Sequence, residues 1–193
     1  MTTFKSLLQQ DSLDLASIAG HLDGLDHEQR VTEVRAIGGR LQARLFAAAS
    51  QDGLDITHFV PADHPNRKFV RHYGKNSLPV FSFFEKRFAR PHDGAEVAWG
   101  FNFSPVMAVV GPGHFVLRAG NDRHSEMHVD YYSIPEEQLE GAPALKENTA
   151  GLQTLVYGNM IDVLRRVSAH VSIGRAVKKG KDTGNYFLLC REA

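Results

Sequence analysis

The sequence predicts an α+β fold, with N-terminal helices packed on a curved antiparallel β-sheet (a meander), a further helix and a C-terminal β-hairpin. Three observations predict it. Before about residue 52, Gly and Pro are sparse and apolar residues recur at helical spacing; beyond it, aromatics, Pro and Gly turns arrive together. Short turn signals then separate stretches of strand character: Pro91-His92-Asp93-Gly94, Gly111-Pro112-Gly113 and Gly120-Asn121-Asp122. Turns this short suit antiparallel neighbours, because parallel pairing needs long crossovers. No internal repeat or low-complexity run interrupts the 193 residues, a length that suits one domain. Residues 1–193 therefore read as a single domain. Its first part, 1–52, is helical; 53–193 is mainly antiparallel sheet with one helix near 150–167.

Leu13, Leu15, Ile18, Leu22 and Leu25 outline one face of a short helix over 12–24, with Asp11 or Ser12 as its cap. Asp26 and Gln29 form a capping box that opens a longer helix carrying Val31, Val34, Leu41, Leu45 and Ala48. Gly38-Gly39 fall inside it at about 1 kcal/mol each relative to alanine, which a close approach of another segment would explain. Asp63-His64-Pro65 resembles a helix start with Gly74 as its stop, although 68–73 reads equally as a strand. Strands follow over 81–90, 96–103, 106–110, 114–118 and 124–133. Leu152, Leu155, Val156, Met160, Val163, Leu164 and Val167 then restore helical spacing. A hairpin of 169–177 and 186–191 around a basic turn closes the chain.

Composition narrows the function classes. Hydrophobic residues make up 42% and charged residues 23%, which excludes wholesale disorder. Lys+Arg and Asp+Glu both number 22, against the basic excess expected of a nucleic-acid partner. Met1 to Gln10 lack a signal-peptide pattern. No uncharged apolar stretch reaches about 18 residues, so the expectation is a cytoplasmic chain with no membrane partner. The single Cys190 leaves no intramolecular disulfide or thiolate cluster. Phosphate-loop, nucleophile-elbow, zincin and dinucleotide-binding signatures are all missing.

Two constellations point to chemistry. Phe81, Phe83, Trp99, Phe101 and Phe103 fall at same-face spacing on neighbouring strands. Such a lining is suited to an apolar or aromatic small molecule, with Arg87 or Arg71 pairing an acidic group; core filling produces the same pattern. Arg67 and Arg71 would form a clamp if their segment were helical. His124, Glu126, His128 and Asp130 alternate along one strand face, and two histidines with carboxylates suit a divalent metal; a solvated strand face gives the same alternation. His58 or His170 could serve as an axial ligand to a haem in an aromatic pocket. The function expected is binding of a small apolar or aromatic molecule. A metal-dependent enzyme and a module that forms a homodimer through its sheet are the contrasting readings.

Overall fold

The computed structural model describes residues 2–49, 53–79, 82–120, 126–149 and 151–193. Four helices come first: α1 (Phe4–Leu8), α2 (Leu15–Asp23), α3 (His27–Arg35) and α4 (Gly39–Ala48). The Asp26–Gln29 capping box opens α3 as expected, with Gln29 N donating to Asp26 Oδ1 at 2.8 Å. Asp14, rather than Asp11 or Ser12, caps α2. The long helix expected after Asp26 is two helices, because the chain turns at 36–38 and Gly38 becomes the extended N-cap of α4. The reason for Gly39 is steric: a Cβ there would lie 3.0 Å from Ser77 Cβ. Another segment does approach closely.

A short α5 (Ile56–Phe59) leads into eight strands: β1 (Val70–Asn76), β2 (Phe83–Ala89), β3 (Ala98–Phe103), β4 (Phe115–Ala119), β5 (Met127–Asp130), β6 (Met160–Arg166), β7 (Val171–Lys178) and β8 (Lys181–Arg191). Every strand pairs antiparallel with its sequence neighbour. β8 then pairs back onto β1, from His72↔Arg191 to Asn76↔Phe187. The sheet is therefore a closed up-and-down barrel, not the open curved sheet expected. Closure satisfies both edges at once, which a twisted sheet of this size otherwise leaves unpaired. Val34, Leu45 and Phe46 on the N-terminal helices, with Ile37 in the turn between α3 and α4, pack against Val171, Ile173, Leu188 and Cys190 on the outer wall.

Of the two readings left open for 63–74, the strand is the one found: Gly74 sits inside β1, where the Phe84 ring occupies the space a Cβ would need. Two other segments differ from expectation. Residues 106–110 hold a single helical turn, α6 (Met107–Val110), rather than a strand. The helix expected near 150–167 is only α7 (Gln153–Val156), followed by β6. Gly158 has Thr154 O at 2.5 Å from its ideal Cβ, and Asn159 adopts φ +57°; together they end the helix. β6 places apolar residues on both of its faces, Met160 and Leu164 inward and Ile161 and Val163 outward, so its residues also satisfy a spacing of three and four.

The lumen is filled by pairing large against absent side chains. Gly74, Gly100 and Gly174 are the register partners of Phe84, Phe115 and Phe187. Each ring lies over its glycine, 2.2–2.6 Å from where a Cβ would stand. Gly100→Ala is expected to cost about 3 kcal/mol or more by overpacking, because its Cβ would also meet Arg87 O at 2.3 Å. Gly20→Ala, inside α2 with nothing within 4 Å, should instead stabilise by about 1 kcal/mol. Urea denaturation of the two variants checks both signs.

An up-and-down barrel has two unlike ends. The base is stoppered by Leu54, Phe59 and Val60 around α5, with Phe59 stacked on His72 at a centroid distance of 5.7 Å and tilted against Phe88 at 5.1 Å. At the opposite end, the rim, lie the connections β1–β2, β3–β4 (with α6), β5–β6 (with α7) and β7–β8. Every large apolar side chain left exposed among the described residues lies in these connections or flanks them. Leu78 and Phe83 belong to the first, Phe103 and Val109 to the second, and Tyr132, Leu152, Leu155 and Val156 to the third.

Candidate functional site: a buried lysine in the barrel lumen

Alternation along β2 sends Phe84, Lys86 and Phe88 inward and Phe83, Glu85 and Arg87 outward. Lys86 is only 2% exposed. Its register partners are His72 on β1 and Asn102 on β3. The Lys86 Nζ donates to Asn102 Oδ1 at 2.8 Å and to the Tyr131 hydroxyl, and lies 3.0 Å from Asp162 Oδ2. Tyr131 extends the line of β5, and Asp162 comes from β6, itself 2% exposed. Asn102 Nδ2 donates to Gly113 O at 2.9 Å and to the Tyr131 hydroxyl at 3.0 Å. The ammonium thus has an acceptor for each of its three protons.

Rings surround it. The Nζ stands 5.0–5.8 Å from the ring centroids of Phe84, Phe115, Tyr131 and Phe187, within the range of cation–π attraction. Above Tyr131, towards the rim, the Tyr157 ring stacks at 5.3 Å with an interplanar angle of 20°. Tyr157 in turn lies against Gly113, and Gln153 against Gly111, where any side chain would collide. Both glycines have positive φ. In this way α7 is keyed into the Gly111-Pro112-Gly113 loop and covers the polar cluster.

Burial dominates the electrostatics. It pushes the Lys86 amine below its usual range, opposed by the Asp162 carboxylate. It pushes the Asp162 carboxyl up, opposed by Lys86 and by the hydrogen bonds of Lys86 and Tyr131. The Tyr131 hydroxyl is pushed well above its ordinary value, and Tyr157 up to about 12, again mainly by burial.

No family model, curated protein or solved structure matches this chain. Its own side chains and their geometry therefore carry the functional reading.

The structure places the residues singled out in the sequence elsewhere. Phe83, Trp99, Phe101, Phe103, Arg71 and Arg87 all lie on the outer wall; Phe81 falls outside the described residues. Trp99 and Phe101 are buried under Leu139, Ala142 and Leu145, around a cavity of about 10 Å³, roughly one water molecule. Phe103 is stacked by Arg87 at 4.4 Å, and Phe83 is half exposed beneath Arg35. Arg87 and Arg71 share Glu85, at 2.8 and 3.5 Å. Arg67 pairs with Glu137, so no helical clamp with Arg71 exists. Aromatics on both faces of β2 are explained by a filled lumen inside and covered patches outside.

Of the four residues expected to hold a metal, His124 lies outside the described residues. Glu126 pairs with Arg165 at 2.9 Å. Asp130 is 1% exposed, paired with Arg118, and accepts from Tyr132 N and Ser133 Oγ. His128 lies on the outer wall with them. Among the described residues, no group of three or more His, Cys, Asp or Glu is disposed to hold a metal ion. His58 is buried at the base, and His170 Nδ1 meets Arg191 Nη2 at 3.2 Å. Cys190 is buried and its thiol pushed up to about 11 by burial, an inert setting.

Sequence reasoning missed Lys86, Asn102, Tyr131 and Asp162. A signal existed for two of them. Lys86 interrupts the Phe84–Phe88 face, and Asp162 is a lone charge within the apolar run 160–164. Asn102 and Tyr131 carry no such mark.

Proposed function

We propose that the barrel binds a small apolar or aromatic molecule carrying an acidic group. It would lie at the rim end of the lumen, in the place now held by the Tyr157 ring, with its acid turned towards Lys86. The observation that carries this reading is the Lys86–Asp162 pair buried among four aromatic rings inside the barrel. Such a pair is a poor stabiliser beside apolar side chains of equal volume, which favours a role in recognition. An eight-stranded barrel is of the size that holds either its own side chains or one small ligand. Tyr157 supports the location: it caps a four-residue helix whose Leu155 and Val156 are exposed, so only Tyr157 and Gln153 anchor that helix to the barrel and would have to move together. An acid that takes over Lys86 stands beside Asp162, whose carboxyl burial already pushes up. Binding should therefore take up about one proton.

The metal-dependent and dimeric readings have less support. Glu126 and Asp130 are held by arginines, and a closed barrel offers no edge for pairing between copies.

Calorimetric titration with 2-naphthoate and with its methyl ester tests the proposal. Replacing the pair together, Lys86→Met with Asp162→Leu, should weaken naphthoate on the order of tenfold or more while leaving the ester nearly unchanged. Tyr157→Ala should tighten both, because it removes the chain's own occupant. The reading is overturned if the wild type binds neither compound, or if the double variant binds naphthoate as the wild type does.

A further inference from the structure

The rim combines two features that the order of the chain keeps apart. Its connections carry the exposed apolar side chains: Val109 on α6 is 67% exposed and Leu155 on α7 is 74% exposed, with Leu78, Phe83 and Phe103 beside them. α6 buries none of its residues. A monomer that left this much apolar surface at random would scatter it over both ends. The same end is basic. The β7–β8 connection carries Lys178, Lys179 and Lys181, and Lys75 ends the wall beside Phe83, 5.3 Å from its ring. Lys179 and Lys181 are exposed. Lys178 Nζ donates to Leu155 O at 2.6 Å, which ties the lysine hairpin directly to the apolar helix. Opposing charge is slight. Asp182 pairs with Arg175 at 3.1 Å, Glu147 neighbours Lys146, and the exposed Glu136 adjoins Glu137 in the segment that leads away from the rim. Glu137 and Glu140 leave the rim altogether, pairing with Arg67 and Lys68 ahead of β1 at the base.

We infer that the rim is a docking surface for an anionic phospholipid bilayer, with Val109, Leu155 and their neighbours entering the headgroup boundary and the lysines meeting the lipid charge. Exposed apolar side chains bordered by lysines are what an interfacial surface requires. The opposite expectation, no membrane partner, concerns spanning segments alone; among the described residues no helix is long and apolar enough to cross a bilayer. Docking by the rim would set the Tyr157-covered mouth against the lipid, so that an apolar acid partitions from the bilayer into the lumen. That last step rests on the lumen reading above; docking itself does not.

Vesicle co-sedimentation of the unliganded protein tests the docking, using phosphatidylcholine alone and phosphatidylcholine doped with phosphatidylserine. Binding is expected to the doped vesicles, to fall with added salt, and to weaken about thirtyfold in Lys179→Gln/Lys181→Gln. Val109→Asp/Leu155→Asp should abolish it without changing the thermal melt, since both side chains are exposed. No binding to doped vesicles, or equal binding to both kinds, overturns the proposal. So does a dimer in sedimentation equilibrium that the aspartate variant dissolves, which would make the rim a contact between copies. Naphthoate titration of the variant with Lys179 and Lys181 replaced, whose exposed side chains lie outside the lumen, reads the lumen site independently, so docking and the lumen site fail separately.

Discussion

Lys86→Ala is expected to destabilise the protein by about 3–5 kcal/mol, because it leaves Asp162 ionised and without its cation in the lumen. Asp162→Ala should cost a similar amount by stranding the ammonium. Replacing both, Lys86→Leu with Asp162→Leu, should recover most of the loss, since apolar groups of similar volume stabilise a core as well as a buried ion pair does. Asn102 and Tyr131 retain each other through their 3.0 Å hydrogen bond. The cycle also has a pH signature. In Lys86→Ala the Asp162 carboxyl is raised further, so the penalty is full at neutral pH and fades as pH falls and Asp162 protonates. Urea denaturation at pH 7 and pH 5 reads both effects. A double variant whose loss is the sum of the two single losses would show that the pair has no coupling and that its cage is not the organising feature of the lumen.

Acid should weaken the base of the barrel by a comparable amount through His72. Its Nε2–H donates to Phe59 O at 3.0 Å, which leaves Nδ1 as the nitrogen that would take a proton. That nitrogen is buried without a hydrogen-bond partner. Burial first, with Arg191 adding to it, holds His72 at about 3, against an ordinary 6.5. The folded value lies below the unfolded one, so the unfolded chain takes up the proton first. The stability is therefore present above pH 6.5 and is lost as pH falls towards 3. At about 1.4 kcal/mol per pH unit the full loss is about 5 kcal/mol, of which about 3 appears by pH 4. His58, also held well below its ordinary value by burial and by His72, Arg191, Arg166 and His170, adds to it in the same direction. His72→Phe should cost about 1 kcal/mol at pH 7 for the lost hydrogen bond and then decline less steeply with acid. Urea midpoints at pH 7, 5 and 4 for the two proteins give the difference; parallel curves would remove His72 from the account.

How much of this was legible in the chain depends on the range of the signal. The Asp26–Gln29 cap, the turn tripeptides and the period-2 face of Trp99, Phe101 and Phe103 are local, and the helices and most strands follow from them. Which side of each strand faces inward is not local. Aromatic density favoured the Trp99 face as a ligand lining, yet that face is outside, and the inward positions of β3 are Ala98, Gly100 and Asn102. A narrow lumen takes small residues on one strand so that rings from the next can fill it, so the more aromatic face is the worse guide. The 160–166 segment shows the same limit: with apolar residues on both sides (Met160 and Leu164 inward, Ile161 and Val163 outward), it reads as a helix until β5 and β7 are in place on either side of it.

A helical N-terminal part, a run of antiparallel strands with short turns and the inertness of Cys190 were all readable along the chain, because caps, turn chemistry and alternation act within a few residues. The return of β8 to β1, the meeting of Lys86 with Asp162, and the gathering of apolar and lysine side chains from positions 75 to 181 on one rim became visible only in three dimensions. Those are consequences of closure: bending the sheet until its first and last strands hydrogen-bond assigns every residue an inside or an outside and every connection an end. No short stretch of sequence contains that information.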